Sequence, residues 1–406
     1  MIVCLLIFAT AVLPAVAQET LTLQQAIDQA LGTNPSLTAA EQRIGAARGQ
    51  RTQAGLSPNP RLNLQLENVR PYTRPAFVFW EATDSFAFLQ QTVETASKRD
   101  RRSDVANVQI RIAELERDLL RRQIAQRVRQ AYWSAAGAQR ALELLRETVK
   151  SFTQTVEYHE NRVKEGAMAE GDLLRVRLEA ERFALNETNA ALDLERARIN
   201  LFREMGQTEF PRPRLIEPIE EKEDRLRLAD PNQAAAQRIE ARLAREILNR
   251  ARANQNLQQA VSRPNFDILF GYKRTGALDT MMAGFQMDLP WLNRNQGNIE
   301  SAAAETRTAQ ANLAATEAMV RAEVAAAQAE YEARRRQLTG TLLRMREQAA
   351  ETLRIAQAAY REGGTDLLRL LDAERLRLET EIIYLRAMVE YRQSIANLET
   401  AMGVLQ

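Results

Sequence analysis

Phe266-Asp267-Ile268-Leu269-Phe270-Gly271-Tyr272-Lys273 and, beyond a Gly/Asp-containing turn, Met282-Ala283-Gly284-Phe285-Gln286-Met287-Asp288-Leu289 are the stretches that decide the fold. Phe266, Ile268, Phe270 and Tyr272 fall on alternate positions, as do Ala283, Phe285, Met287 and Leu289. Successive side chains of a strand point to opposite faces, so this period predicts two amphipathic strands, at about 265–273 and 281–289. Arg263-Pro264 stops the helix before them, and Pro290 and Gly297 close the hairpin.

The same design occurs earlier in the chain. Leu62, Leu64 and Leu66 alternate with Asn63, Gln65 and Glu67 in a strand at about 61–69. A second strand at about 84–93 carries Phe86 and Phe88 facing one way. Ser57-Pro58-Asn59-Pro60 ends a preceding helix from Leu23 to Ala54. The loop from Arg70 to Thr83 carries Phe77, Phe79 and Trp80, a composition that suits an interface belt or a rim-packed loop better than a ligand site.

Both hairpins belong to a duplication. Gln42-Arg43-Ile44 recurs as Gln237-Arg238-Ile239, Glu165-Gly166 as Glu362-Gly363, and Asp172-Leu173-Leu174 as Asp366-Leu367-Leu368, at a spacing of about 195 residues. Asn200-Leu201 with Met205-Gly206 returns as Asn397-Leu398 with Met402-Gly403. The expected organisation is a leader at 1–17, one repeat at 18–206, a proline-bearing connector at 207–230 and a second repeat at 231–406. Each repeat reads helix, two strands, a very long helix, a shorter helix. The long helices run from about Lys98 to Lys164 and from about Asn298 to Arg361. The first has a seam through Ile124, Val128, Ala131, Ala135, Leu142, Leu145 and Phe152, uninterrupted by proline. Each would be about 100 Å long at 1.5 Å per residue, so it must pack laterally on other helices.

The leader reading rests on the apolar run Ile2–Val16 and on Ala15-Val16-Ala17, which predicts cleavage before Gln18, although no Lys or Arg precedes the run. Cys4, the sole cysteine, lies inside it and does not end a lipobox, so the mature chain would have no disulfide and no cysteine metal site. Elsewhere no run approaches the length of a spanning helix, so any membrane part must enter as strands. Four strands cannot close around a channel, and backbone groups at an open edge cannot be left unpaired in lipid. Three copies would supply twelve strands and a closed sheet. Leu62, Leu64, Leu66, Phe266, Phe270, Phe285 and Leu289 would then meet lipid, with Asn63, Gln65, Asp267 and Gln286 in the lumen. The competing reading is a pair of soluble hairpins capping a helical bundle.

Composition narrows the function further. A net charge of +2 with interleaved Arg and Glu offers no phosphate-tracking face, which argues against nucleic-acid binding. There is no Ser/His/Asp set, phosphate loop or His cluster, so an enzyme is not expected, nor any cofactor or metal site. Paired carboxylates such as Glu220-Glu221 read as solvated connector, and Tyr132-Trp133 as helix packing. His159, the only histidine, reads as a packed or solvated position, since one imidazole makes no metal site.

Several stretches resemble the TolC-type outer-membrane factors, nearest the branch serving cobalt–zinc–cadmium and copper–silver efflux. They are Leu21-Thr22-Leu23 through Asn34-Pro35, Gln91-Thr92-Val93-Glu94 leading to Lys98-Arg99, and Leu289-Pro290-Trp291-Leu292-Asn293-Arg294-Asn295-Gln296-Gly297, the most specific, with the two Glu-Gly/Asp-Leu-Leu turns. The resemblance implies a mainly α fold with a small membrane β part: a trimer with a 12-stranded β-barrel and a 12-helix periplasmic α-barrel. It implies an outer-membrane exit duct that receives substrate from an inner-membrane resistance-nodulation-division-type pump through a periplasmic adaptor (membrane fusion) protein. Adaptor docking falls on the tips Arg162–Leu174 and Tyr360–Asp372, at Glu165, Gly166, Asp172, Glu362, Gly363 and Gly364. A family aspartate ring constricting the pore maps onto Asp372; the aspartate before it falls on Arg369, a departure, and Asp366 is the alternative contributor. For Asp366 the plainer reading is a helix cap, and for Asp372 a solvated surface position. A drug-efflux or type I secretion duct of the same fold remains open as to cargo. A periplasmic coiled-coil adaptor or scaffold is the rival class, disfavoured by strands in the middle of each half.

Overall fold

A computed structural model describes residues 20–69, 78, 83–219, 237–276 and 278–403. The leader with Cys4 and the Gln18 junction, the aromatics Phe77, Phe79 and Trp80, and Glu220-Glu221 lie outside them. In chain order the elements are β1 (Thr20–Leu21), α1 (Leu23–Thr33), α2 (Pro35–Ala54), β2 (Arg61–Glu67), β3 (Asp84–Val93), α3 (Lys98–Lys164) and α4 (Glu170–Glu204). They continue as β4 (Arg214–Leu215), α5 (Ile239–Val261), β5 (Phe266–Thr275), β6 (Leu278–Met287), α6 (Gln296–Arg336), a π-helical turn (Gln337–Leu342), α7 (Leu343–Arg361) and α8 (Leu367–Met402).

Beyond end shifts of one or two residues, as in β2 and β5, three elements differ from the sequence reading. The first helix is two, because Asn34 stands before Pro35 and is driven into extended geometry (φ −66°, ψ 120°). The second long helix is interrupted by the π-helical turn, whose extra residue per turn brings Leu338 and Leu342 into the interior. The last strand starts and ends earlier than expected because β5 and β6 join at a tight turn through Gly276. Leu289 therefore lies beyond the strand end at Met287, not on the strand.

The chain forms two compact units, each drawing segments from both sequence halves. One comprises Met1–Asn34, Gln123–Arg227 and Ala327–Thr400. In it β1 pairs in parallel with β4, and α1 starts with a reciprocal cap: Thr22 Oγ1 accepts from the Gln25 amide, and Gln25 Oε1 from the Thr22 amide. Tyr132, fully buried, donates to the Leu21 carbonyl at 2.9 Å and meets Trp133 edge-to-face. Gly206, at φ +77°, lies over Asn34, where an added Cβ would sit 2.8 Å from the amide nitrogen. Around the hairpin ends the core is Phe152, Val176, Phe183, Leu371 and Leu378, with Phe152 and Phe183 edge-to-face at 4.9 Å.

The other unit comprises Pro35–Arg122, Leu228–Ala326 and Ala401–Gln406. It holds one antiparallel sheet in the order β2-β3-β5-β6. The register pairs Leu62 with Leu89, Leu89 with Phe270, and Phe270 with Ala283, and each such row lies on one face. That face carries Leu62, Leu64, Leu66, Phe266, Phe270 and Phe285. Asn63, Gln65, Asp267 and Gln286 share the other with Phe86 and Phe88. Phe88 lies against Gly271, where a Cβ would come within 2.4 Å of it, so the close β3–β5 approach requires glycine. Beyond the sheet, Arg122 and Arg238 are buried on Glu240, and Arg238 also meets Glu323 at 2.5 Å.

Candidate functional site: the paired hairpin turns and the bare sheet

The turn between α3 and α4 follows from a glycine. Gly166 takes φ +73°, and the amide of Ala167 reaches back to the Arg162 carbonyl at 2.8 Å, closing the helix end. Gly363 does the same at φ +75° for α7, with the Gly364 amide on the Ala359 carbonyl at 2.8 Å. Glu165, Gly166, Glu362, Gly363 and Gly364 are all exposed at these turns.

The two equivalent aspartates have different surroundings. Asp366 accepts the Arg369 amide at 3.0 Å, which makes it the N-cap of α8. Asp172 lies inside the first turn of α4, because that helix begins at Glu170, and pairs with Arg175 at 3.5 Å. Asp372, exposed on α8, accepts from Arg375 at 3.2 Å.

The structure adds a link between the hairpins that the sequence reading did not contain. His159 is 1% exposed, with Nδ1 2.7 Å from the Thr155 carbonyl and Nε2 2.9 Å from the Tyr360 hydroxyl. A carbonyl can only accept, so Nδ1 carries a proton; in the neutral ring Nε2 then accepts from Tyr360, whose oxygen in turn faces Arg162 at 3.5 Å. Burial pushes the Tyr360 phenol up from its usual range. His159 is thus a packing residue; no cluster of three or more metal-ligating side chains occurs among the described residues. The partners lie far apart in sequence, and only the shared place just before each glycine turn hints at the pairing.

The sheet is bare on its apolar face: Leu64 is 74% and Phe285 64% exposed. β2 and β6 form its edges. No helix among the described residues is long and apolar enough to cross a membrane. A two-sided sheet with one apolar face, in a chain otherwise made of long helices, fits the class of proteins that enter a membrane as strands and carry a helical extension.

The chain belongs to the outer membrane efflux protein family, whose sequence pattern matches residues 26–207 and 231–404. It is 25% identical over 405 residues to the cobalt-zinc-cadmium resistance protein CzcC of Cupriavidus metallidurans, covering 97% of this chain and 92% of that protein. Its fold matches a crystal structure of a membrane protein from Pseudomonas aeruginosa with a TM-score of 0.80 at 22% identity, over 94% of this chain and 90% of the other. It also matches CusC, described in connection with transmembrane channel formation, with a TM-score of 0.79 at 20% identity, over 94% and 91%. The family resemblance read from the sequence holds, and its members are passive channels of the outer membrane, not enzymes. Family membership also sets aside the adaptor or scaffold reading.

Proposed function

We propose that this chain is the outer-membrane exit duct of a tripartite efflux system in a Gram-negative bacterium. It works as a homotrimer and conducts heavy-metal cations delivered by a periplasmic adaptor and an inner-membrane pump of the resistance-nodulation-division type. The observation that carries this is the bare sheet. Its apolar face needs lipid, and its two unpaired edges need partners once there. Three copies joined edge to edge make twelve strands, with Asn63, Gln65, Asp267 and Gln286 lining a polar lumen. The metal cargo is supported by the relative's name alone. Glu165, Gly166, Asp172, Glu362, Gly363 and Gly364 form the adaptor-docking tips in this reading: all but the half-buried Asp172 are exposed at the free ends of the hairpins.

Two exposed rows on the helices fit the same assembly. Leu178, Leu185, Leu192 and Ile199 recur every seven residues along α4, and Leu376 and Ile383 do so on α8. A heptad of exposed leucines is a coiled-coil seam lacking its partner helix, which a neighbouring copy supplies. Two experiments test the proposal. Crosslinking of the membrane fraction should give a trimer band; a monomer extractable without detergent would end the membrane reading. Deletion of the gene should sensitise cells to cobalt, zinc or cadmium, whereas sensitivity only to drugs, or loss of a secreted protein, would move the cargo to the alternative ducts.

A further inference from the structure

The segment Leu289–Gly297 reverses the usual arrangement of a surface turn. Its amide side chains bond to backbone within and beside the turn: Asn295, at φ +62°, donates from Nδ2 to the Gln258 carbonyl at 2.8 Å. Asn293 Oδ1 accepts the Asn295 amide at 3.0 Å, and Gln296 Oε1 the Arg294 amide at 2.8 Å. The apolar side chains are left outside. Leu292 is 92% exposed and Trp291 75%, on a turn held rigid by those bonds. Beside them is a cavity of about 830 Å³ with Lys98, Arg102, Arg263 and Arg294 in its wall, against only two carboxylates, Glu94 and Asp288. Glu94 is occupied by Arg102, and the Lys98 ammonium by the Arg263 carbonyl and Asn265 Oδ1, both at 2.5 Å. The Arg263 and Arg294 guanidiniums meet no acceptor among the described residues.

We propose that this turn is a phospholipid-binding site at the helical end of the barrel: Trp291 and Leu292 enter the adjacent leaflet, and Arg263 and Arg294 hold a lipid phosphate, with anionic headgroups favoured. The inference rests on the barrel reading, since the apolar face of β6 leads directly into the turn. An amphipathic indole with an aliphatic neighbour at a strand end suits the boundary between acyl chains and headgroups. A cavity with excess positive charge and two unpaired guanidiniums suits the phosphate above it, because the planar guanidinium fork matches phosphate oxygens. The occupant is lipid and not a second copy, because the positive cavity and the apolar pair together match the two halves of a phospholipid.

The test uses the full chain with Trp80→Phe and Trp133→Phe, which leaves Trp291 as the only tryptophan. It is reconstituted in vesicles where either the phosphatidylglycerol or the phosphatidylcholine carries brominated acyl chains. Brominated phosphatidylglycerol should quench Trp291 more effectively by at least about fivefold in apparent affinity, the scale of one basic residue at a lipid surface. Arg263→Gln with Arg294→Gln should bring the preference close to one, and Arg263→Lys with Arg294→Lys should keep most of it. Equal quenching by both lipids in the parent overturns the proposal. A second reporter, Leu64→Trp with Trp291→Phe, separates this from the barrel reading. If it is quenched and Trp291 is not, the barrel stands and the turn is covered by another copy. If neither is quenched, the barrel reading fails and the lipid site with it.

Discussion

Asp366 and Asp372 look alike in sequence, and their surroundings give them different tasks. Asp366 satisfies an amide that the start of α8 would otherwise leave unpaired. Asp366→Ala should therefore cost about 1 kcal/mol of local stability and speed exchange of the Leu367–Leu370 amides, while Asp366→Asn should not. Unchanged exchange in the alanine variant would remove the cap role. The His159–Tyr360 link gives a sharper case. Tyr360→Phe leaves His159 Nε2 buried without its donor, at a cost of roughly 1–3 kcal/mol, whereas both groups are lost together in His159→Leu with Tyr360→Phe. The single variant should make the hairpin turns more sensitive to protease than the double one. Glu240 provides a pH dependence. Burial pushes its carboxyl up, but the Arg238 hydrogen bond and the fields of Arg122 and Arg238 more than offset this and hold it below the usual 4.5. A carboxylate with a depressed folded pKa contributes stability that is present above its unfolded value and lost as pH falls through the folded one. The unfolding midpoint in detergent should thus fall below pH 4.5, and Glu240→Gln should flatten that slope while lowering stability at neutral pH by about 3–5 kcal/mol, because the buried Arg122 loses its carboxylate partner and Arg238 keeps only Glu323.

At the scale of elements, the α4 row invites a test that separates folding from assembly. Leu185 is 61% exposed in the single chain, so Leu185→Glu with Leu192→Glu should leave the helix and its core intact. Covering each leucine against a neighbour is worth about 1.5–3 kcal/mol, so the same pair should sharply reduce crosslinked trimer, while Leu185→Met should not. Normal trimer yield from the glutamate variant would show that another face forms the contact. Much of this level was legible beforehand. Period-two alternation located all four strands, and a paired glycine after Glu165 and Glu362 located both turns, because each feature is set by neighbouring residues. What was missed depends on distant partners. The polar-face position of Phe86 and Phe88 is decided by the register of β3 against β2 and β5, which β3 alone does not contain. The π-helical turn was likewise missed: Thr339-Gly340-Thr341 breaks the Ala/Glu/Arg run of the helix, but a glycine inside a helical pattern does not by itself set the hydrogen-bond spacing.

For the whole molecule, the strongest consequence of the proposed trimer concerns charge on its axis. A single Asp372 is an exposed carboxylate with Arg375 beside it and nothing unusual in its surroundings. Three copies around a closed tunnel would bring three such carboxylates onto one narrow ring, where their fields add in a space with little water to screen them. Such a ring would attract divalent cations strongly enough to slow their passage, so single-channel current should drop when calcium or magnesium is added. Asp372→Ala should remove that block and raise the open current, while Asp366→Asn, confined to its cap, should leave both unchanged. Arg369 lies one turn away on the same helix and should weaken the block, so Arg369→Ala should deepen it, opposite in sign to the aspartate variant. Block that survives Asp372→Ala would place the constriction elsewhere and leave this residue a solvated surface charge.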